Sequence, residues 1–173
     1  MALREIITLP APTLRRKARK VTDFGPELQT LVDDMIDTMR DAPGVGLAAP
    51  QVDVPLRVIV VEYAESEDDE DQEVKPRLYT VVNPEITRFS SDSETGTEGC
   101  LSIPGFAGDV DRPLAITVKG FNRRGQPVKI KAEGWLARIF QHEVDHLDGV
   151  LFIDRAEKVW KHEGQTAQAT VSD

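Results

Sequence analysis

The sequence predicts a single domain in which a few helices and several short strands share one hydrophobic core. Its length of 173 residues suits one domain that spans the whole chain, 1–173. Two segments repeat apolar residues at helical spacing. Several short apolar runs, bounded by glycine, proline or asparagine, have the length of strands. No internal repeat and no interdomain linker interrupts this pattern.

Composition excludes several classes of protein. The net charge of −9 argues against a DNA-binding protein, because phosphate contacts need an excess of Lys and Arg. No apolar run approaches the ~20 residues that cross a bilayer, and Met1–Pro10 lacks the layout of a secretory signal. The single cysteine excludes an internal disulfide. We therefore expect a cytoplasmic protein with no membrane or DNA partner.

The N-terminal segment contains an apolar run and then a basic cluster. Ile6–Leu9 is expected to be an edge strand or an extended arm, ended by Pro10. The basic cluster consists of Arg15, Arg16, Lys17, Arg19 and Lys20. A solvated face is the simpler interpretation of this cluster, and contact with ribosomal RNA is the alternative.

The first helix has clear start and spacing signals. Asp23 can cap it, and Pro26 suits its first turn. Apolar residues then recur at intervals of three and four: Leu28, Leu31, Val32, Met35, Ile36 and Met39. This pattern predicts a core helix without a chemical role.

The segment Gly44–Gln51 is rich in small residues and low in polarity. One interpretation is a tight turn packed on the core. The other is a backbone that approaches a ligand closely, which glycine and alanine permit. Gln51 is the polar side chain of this segment, and its amide can donate to an oxygen. Leu56–Val61 follows as a buried strand.

The middle of the chain is expected to alternate loops and strands. Residues 62–75 contain the acidic run Glu65–Asp71 and are predicted to be a mobile loop, because adjacent like charges resist packing. Leu78–Val82 is a predicted strand that ends at Asn83–Pro84, and Ser90–Thr97 is a predicted polar loop.

The second half of the chain shows further strand signals. Leu114–Val118 and Val128–Ile130 are predicted strands on either side of a turn at Asn122–Gly125. Leu151–Ile153 is a predicted last strand. Residues 156–173 form a polar tail, for which we expect one short helix and then disorder.

A helix is predicted for Gly134–Leu147, and it carries the motif His-Glu-x-x-His. Residues four apart lie about 40° round a helix and roughly 6 Å along it, so His142 and His146 can reach one metal ion. Glu143 lies close enough to that face to act as a general base toward a water. The motif is short and also occurs by chance on surface helices. Here, however, Glu143 lies within an apolar arc, where a carboxylate is costly unless something compensates it.

A hydrolytic metal site needs a third protein ligand and an open position. The downstream candidates, His162, Glu157 and Glu163, lie in the polar tail, which is a poor scaffold. Upstream, Cys100 is the strongest candidate, since a thiolate and two imidazoles suit a soft or borderline divalent ion. A lone cysteine is more often a small buried apolar residue, so both interpretations stay open from the residues alone.

Three motifs together resemble the peptide deformylase family. They are Gly44-Val45-Gly46-Leu47-Ala48-Ala49-Pro50-Gln51, Glu98-Gly99-Cys100-Leu101-Ser102 and Gln141-His142-Glu143-Val144-Asp145-His146, in that order. The resemblance extends to Ile153. It implies an α+β fold with antiparallel β-sheets around a central metal-binding helix, plus an N-terminal core helix. The implied reaction removes the formyl group from N-formylmethionine of newly synthesised polypeptides and releases formate.

The resemblance also implies a role for each matched residue. Cys100, His142 and His146 would bind one divalent ion, with Fe(2+) the metal that the family implies; the residues themselves also suit Zn, Ni or Co. Glu143 would be the general base. The Leu101 backbone N–H and the Gln51 amide would stabilise the oxyanion, and Gly46 would bind the substrate backbone.

We expect the methionine pocket to be formed by Val45, Trp135, Ile139 and His142. The run Gly134-Trp135-x-Ala137-Arg138 looks like the organellar-type branch of the family. Arg138 places a charge where other members have an aliphatic residue, near the expected pocket.

Three further expectations concern partners and rivals. Asp145 points away from the ligand face and is expected to pair with Arg112. The protein is expected to be a monomer that acts on N-formylmethionyl nascent polypeptides. The rival functions are a His-Glu-x-x-His metallopeptidase and a catalytically inert formyl-peptide-binding protein.

Overall fold

The structure, a computed structural model, describes residues 2–64 and 75–162. Within these ranges the helices and strands follow the order α1 Pro26–Asp41, β1 Gly46–Ala48, β2 Val58–Tyr63, β3 Arg77–Phe89, β4 Ser93–Gly99, β5 Phe106–Pro113, β6 Ala115–Phe121, β7 Pro127–Glu133, α2 Gly134–Leu147, α3 Phe152–Arg155 and β8 Lys158–Lys161. Two 3-10 turns, Pro12–Arg15 and Ala49–Val52, complete the regular structure.

The strands form two antiparallel sheets. One has five strands in the order β1-β2-β3-β6-β7, and the other has three in the order β4-β5-β8. Helix α2 contacts strands of both sheets. This arrangement confirms the predicted α+β fold with antiparallel sheets around the motif helix.

Helix α1 is confirmed with a small correction at its start. Pro26 occupies the first turn, where its missing N–H costs nothing. The cap residue is Gly25; Asp23 instead accepts a hydrogen bond from the Gly25 backbone N–H at 2.9 Å. All six predicted apolar residues of α1 are buried against β1 and β2.

The N-terminal segment is an extended arm that is hydrogen-bonded to two segments, one containing Gln51 and the other containing Ser102. The backbone N–H of Ile7 donates to the Gln51 carbonyl at 2.8 Å, and that of Leu9 donates to the Ser102 carbonyl at 3.0 Å. The arm therefore joins the small-residue segment to the segment after Cys100.

The prediction that Asn83–Pro84 ends a strand is wrong. Strand β3 continues to Phe89, and the pairing with β6 shifts register between Val82 and Glu85. Asn83 adopts a left-handed conformation at φ 52°, and its amide donates to and accepts from the Val21 backbone. This bulge absorbs the proline, which cannot donate to a ladder.

The predicted loop Ser90–Thr97 is also wrong for most of its length. Residues 93–99 form strand β4, which pairs with β5 from Ser93↔Pro113 to Gly99↔Ala107. Strand β5 was not predicted. Much of β4 is exposed and polar, so it lacks the apolar alternation that identifies strands.

The C-terminal part departs from the prediction as well. Leu151–Ile153 is not a strand, because Phe152–Arg155 forms helix α3. Within the expected irregular tail, Lys158–Lys161 is strand β8 and pairs with β5. The acidic run 65–71 and the tail from 163 lie outside the described residues.

Helix α2 has the predicted bounds and lies in the main core. Leu136, Ile139, Phe140 and Leu147 are buried there. Gly149 ends the helical segment at φ +74°, and a Cβ there would lie 2.6 Å from the Arg15 carbonyl oxygen. Of the helices described, none has both the length and the apolar character that crossing a membrane requires.

Candidate metal centre

Helix α2 and the end of β4 bring three candidate ligands together. His142 and His146 lie on one face of α2, with ring centroids 5.0 Å apart. Cys100 directly follows β4, and its Sγ lies 3.4 Å from Nε2 of His146. One ligand atom from each residue lies within 4.8 Å of the other two, and all three residues are buried.

These residues fit a divalent metal ion. Bonds of about 2.0–2.3 Å to a tetrahedral ion place its ligand atoms roughly 3.3–3.8 Å apart, which the Cys100–His146 distance matches. Nε2 of His142 is buried and has no hydrogen-bond partner in residues 2–64 and 75–162. A buried lone pair without a partner is costly, and a metal ion would compensate it.

The downstream candidates do not reach this cluster. His162 and Glu157 are exposed and belong to no group of candidate ligands in the described chain, and Glu163 lies outside it. Among the described residues, only Cys100, His142 and His146 form such a group.

The surroundings push the two imidazole pKa values apart. Burial lowers the pKa of His142, but the neighbouring Cys100 sulfur and the hydrogen-bonded Glu98 carboxylate outweigh burial and raise it well above its usual value. Burial, and then the charge of His142, lower the pKa of His146 well below its usual value. A proton and a cation therefore compete for His142, so metal binding weakens in acid.

Glu98 contacts a predicted ligand, and the sequence reasoning gave it no role. It is fully buried, and its Oε1 lies 2.9 Å from Nδ1 of His142. Burial would raise the pKa of the Glu98 carboxyl, but hydrogen bonds from Arg112 and His142 hold it well below its usual range. The available signal was its position in the motif Glu98-Gly99-Cys100, two residues before the predicted ligand.

Glu143 lies against the backbone of β1. The side chain is fully buried, and a Cβ on Gly46 would lie 2.4 Å from its Oε2. Only glycine at position 46 therefore leaves room for this carboxylate. This close approach is to a side chain of the same chain, so the approach of a ligand to the small-residue segment stays a prediction.

The backbone of Gly46 faces the open edge of the five-stranded sheet. Strand β1 is the outermost strand, and the Val45 carbonyl accepts a hydrogen bond from the Glu62 N–H at 2.9 Å. Successive residues in a strand direct their backbone groups to opposite sides. The N–H and C=O of Gly46 therefore point away from β2, toward the edge where another strand can pair.

Gln51 is fixed beside the thiol. Its Oε1 accepts from the Ala48 N–H at 3.1 Å, and its Nε2 donates to Ser102 Oγ at 3.1 Å. The same Nε2 lies 3.7 Å from Cys100 Sγ. Leu101 follows the cysteine in a turn. The two predicted oxyanion donors are therefore both adjacent to the metal cluster.

The four predicted pocket residues do not share one environment. Ile139 is fully buried, and Val45 packs against the same apolar cluster. Trp135 is half-buried and lies under the guanidinium of Arg138, whose Cζ is 5.1 Å from the ring centroid. The charge of Arg138 is bound to Glu98 at 2.7 Å and to two backbone carbonyls, so it is not unpaired in a pocket.

Comparisons with known proteins agree with this geometry. The family model "Polypeptide deformylase" matches residues 3–162. A peptide deformylase of Natranaerobius thermophilus is 48% identical over 163 residues, covering 94% of this chain and 98% of that protein. One from Desulforudis audaxviator is 48% identical over 161 residues, covering 93% and 98%. The crystal structure of peptide deformylase from Ehrlichia chaffeensis in complex with actinonin has a TM-score of 0.82 and 38% identity, and covers 91% of each chain.

Proposed function

Because the chain belongs to the polypeptide deformylase family, we infer that it removes the N-formyl group from N-formylmethionine of newly synthesised polypeptides and releases formate. One observation carries this inference. Cys100, His142 and His146 converge within 4.8 Å, with buried Glu143 next to His142. Three ligands with an adjacent carboxylate are what metal-assisted amide hydrolysis needs.

Cys100, His142 and His146 would hold one divalent ion. When bound, it would activate a water and polarise the formyl carbonyl. We propose Fe(2+) as the native ion, in line with the family resemblance; the thiolate and two imidazoles also suit Zn, Ni or Co.

Glu143 is proposed as the general base. Its carboxylate is buried beside the ligand face of α2 and lies against Gly46, so it is held close to the reacting water. It accepts the proton of the attacking water and returns a proton to the leaving amine of methionine. The bond that breaks is the amide between the formyl carbon and that nitrogen.

Gln51 and Leu101 are proposed to stabilise the developing oxyanion. Gln51 Nε2 is positioned by the contacts of both amide atoms, with Ser102 and with the Ala48 backbone. A donor that is already fixed needs no reorganisation as charge develops. The Leu101 backbone N–H would supply the second donor from the turn after Cys100.

Substrate would bind along the open edge of β1. Gly46 directs its backbone groups to that edge, which favours pairing with an extended peptide. Such pairing is indifferent to side chains, so selectivity for methionine must come from a side-chain pocket. We keep Val45, Trp135, Ile139 and His142 as its proposed walls.

Location and partners are proposed together with the reaction. We propose that the protein acts in the cytoplasm, and that it acts as a monomer, because one chain supplies every proposed catalytic group. Contact with ribosomal RNA stays a prediction for the basic cluster Arg15, Arg16, Lys17, Arg19 and Lys20. All five of these side chains are exposed, which such a contact requires.

A formate-release assay tests the proposal. Anaerobically prepared, iron-loaded protein is mixed with N-formyl-Met-Ala-Ser, and both formate and peptide products are quantified. We expect one formate for each Met-Ala-Ser released, with loss of activity after metal removal and recovery after reloading. Peptide fragments without formate would indicate the metallopeptidase. Binding without turnover would indicate the inert formyl-peptide-binding protein.

A further inference from the structure

Two backbone donors of the N-terminal arm contact the two segments that carry the proposed oxyanion donors. The Ile7 N–H donates to the Gln51 carbonyl at 2.8 Å, and the Leu9 N–H donates to the Ser102 carbonyl at 3.0 Å. In extended backbone, N–H groups two residues apart point to the same side and lie about 6.6 Å apart. One short piece of backbone therefore sets the distance between the two carbonyls.

Ser102 belongs to the same tight turn as Leu101. The Ile103 N–H donates to the Cys100 carbonyl at 3.0 Å. This bond closes a turn with Leu101 and Ser102 at its centre. The bond from the arm to the Ser102 carbonyl therefore also restrains the Leu101 N–H, the proposed second oxyanion donor.

The side chains of Gln51 and Ser102 also contact each other. Gln51 Nε2 donates to Ser102 Oγ at 3.1 Å, and both residues are fully buried. This contact joins the two side chains, while the arm joins the backbone carbonyls of the same two residues. The contacts close a ring that passes through Ile7 and Leu9. A ring restrains the separation of the two segments more strongly than one contact does.

The arm is anchored by contacts that are independent of these two segments. The Ala2 N–H donates to Asp34 Oδ1 at 2.8 Å. The Arg4 N–H donates to Thr38 Oγ1 at 2.9 Å. Asp34 and Thr38 are both buried on helix α1. Helix α1 therefore holds the arm in place, so the arm can restrain the two segments and does not merely follow them.

Apolar side chains of the arm pack on two different parts of the core. Ile6 packs against the cluster that contains α1, and Leu9 packs against the cluster that contains Cys100 and Ile103. Such burial stabilises the fold, but it is non-directional and does not aim a backbone N–H at a particular carbonyl. An arm that only covered the core would need the apolar contacts and not the two hydrogen bonds.

We propose that Ile7 and Leu9 are positioning residues, whose backbone N–H groups set the separation of the two oxyanion donors, the Gln51 amide and the Leu101 N–H. The proposal rests on the oxyanion role that the proposed function gives to these donors. Donors that are fixed in advance need no reorganisation as charge develops, and a displacement of about 1 Å can lower a rate by roughly 100-fold.

Amide-to-ester replacement tests the two N–H groups one at a time. An ester at Ile7 or at Leu9, in the full-length, iron-loaded protein, removes one N–H and keeps the side chain. The matched control is an ester at Glu5, whose side chain is exposed and whose N–H makes no hydrogen bond within residues 2–64 and 75–162. This control shares the weaker carbonyl acceptor that every ester introduces.

Four quantities are compared at a temperature at which every protein is folded: kcat, KM, metal content and the nitrogen–proton correlation signal of the Gln51 side-chain amide. Tm is recorded for each protein. The kcat and the amide signal report on the oxyanion donors. KM reports on pairing of the substrate with β1, and metal content reports on the ligand cluster.

With an ester at Ile7 or at Leu9, we expect kcat to fall roughly 5–50-fold, less than the roughly 100–1000-fold lost when an oxyanion donor is removed outright. The Gln51 amide signal should shift, while KM and metal content should match the Glu5 control. Both esters together should cost little more than one, because releasing either carbonyl already frees the separation. Independent contacts would instead multiply their effects on kcat.

The contrary results are distinct from one another. If the Ile7 and Leu9 ester proteins lose Tm but keep the kcat and the Gln51 amide signal of the control, the arm only covers the core and the positioning role is wrong. Multiplied effects on kcat would also reject a shared role. If the wild-type protein releases no formate, the proposed function is wrong. The Gln51 signal needs no turnover, so it still decides whether the arm holds that amide.

Discussion

Nη1 of Arg112 lies 2.9 Å from Oδ2 of Asp145, and this contact ties strand β5 to the helix that carries both histidines. Asp145 also accepts two hydrogen bonds from Arg155, at 2.7 and 3.0 Å. Ion pairs therefore run from the exposed Arg155 through Asp145 and the buried Arg112 to Glu98.

We predict that Asp145→Ala lowers the free energy of unfolding by about 1–3 kcal/mol, because it leaves the buried Arg112 guanidinium with fewer acceptors. Asp148→Ala is the matched control at the same end of α2. Its partner contact, with Arg57 at 2.9 Å, involves a carboxylate that is 43% exposed, and we expect it to contribute under ~1 kcal/mol. Urea unfolding of both variants gives the comparison, and equal losses would refute it.

The sequence predicted the bounds of α2 and its two histidines from a local pattern, and it predicted the Arg112–Asp145 pair from the expected packing of a strand beside that helix. His142 and His146 are four residues apart on a helix, and the same periodicity points Asp145 away from the ligand face. Cys100 was harder to assign as the third ligand, because its position in the chain does not show that it lies near the histidines. The order of the three motifs supported that assignment.

The features that the sequence did not predict depend on contacts between residues that are remote in the chain. Strand β4 is mostly exposed and polar, so it reads as a loop until its pairing with β5 is known. The bulge at Asn83 depends on the contact with Val21, which is remote in sequence. The buried position of Glu98 depends on two arginines from β5 and α2, and no local pattern shows that these residues meet.

We expect the Glu143→Gln protein to keep its metal and to lose turnover. The amide has the shape of the carboxylate and cannot accept the proton of the attacking water. Formate release should fall by roughly 100-fold or more, the usual share of a general base. Metal content by elemental analysis, measured on the same preparation, is the control, and near-normal turnover would reject the assignment.

Substrate choice tests the proposed pocket. Burying a methionine side chain is worth about 1.5–3 kcal/mol, or roughly 10–200-fold in kcat/KM over a formyl-glycine peptide. An acetyl group adds a methyl close to Gly46 and Glu143, which already approach closely, and should be rejected more strongly. Rates on formyl-Met, formyl-Gly and acetyl-Met peptides of otherwise equal sequence decide the matter. Equal rates on the first two would show that these walls form no such pocket.

Acid stability tests the anchoring of the N-terminal arm. The Ala2 backbone N–H, helped by Arg4 and opposed by burial, lowers the pKa of Asp34 below its ordinary 3.8. A carboxyl with a lowered folded pKa stabilises the fold above its unfolded pKa, and this stability is lost as pH falls through the folded value. We therefore expect Asp34→Asn to lower Tm at neutral pH, with the gap to wild type narrowing below about pH 4. A gap that stays constant down to low pH would contradict this.

The central claim is that Cys100, His142 and His146 share one divalent ion beside Glu143. Anomalous diffraction at the iron edge, from anaerobically grown crystals of iron-loaded protein, tests it most directly. The account predicts one strong peak per chain, about 2.0–2.3 Å from Sγ of Cys100 and from one imidazole nitrogen of each histidine. It also predicts that Cys100→Ser crystals lose that peak. A peak bound elsewhere, or one that persists unchanged without the thiol, would contradict the account.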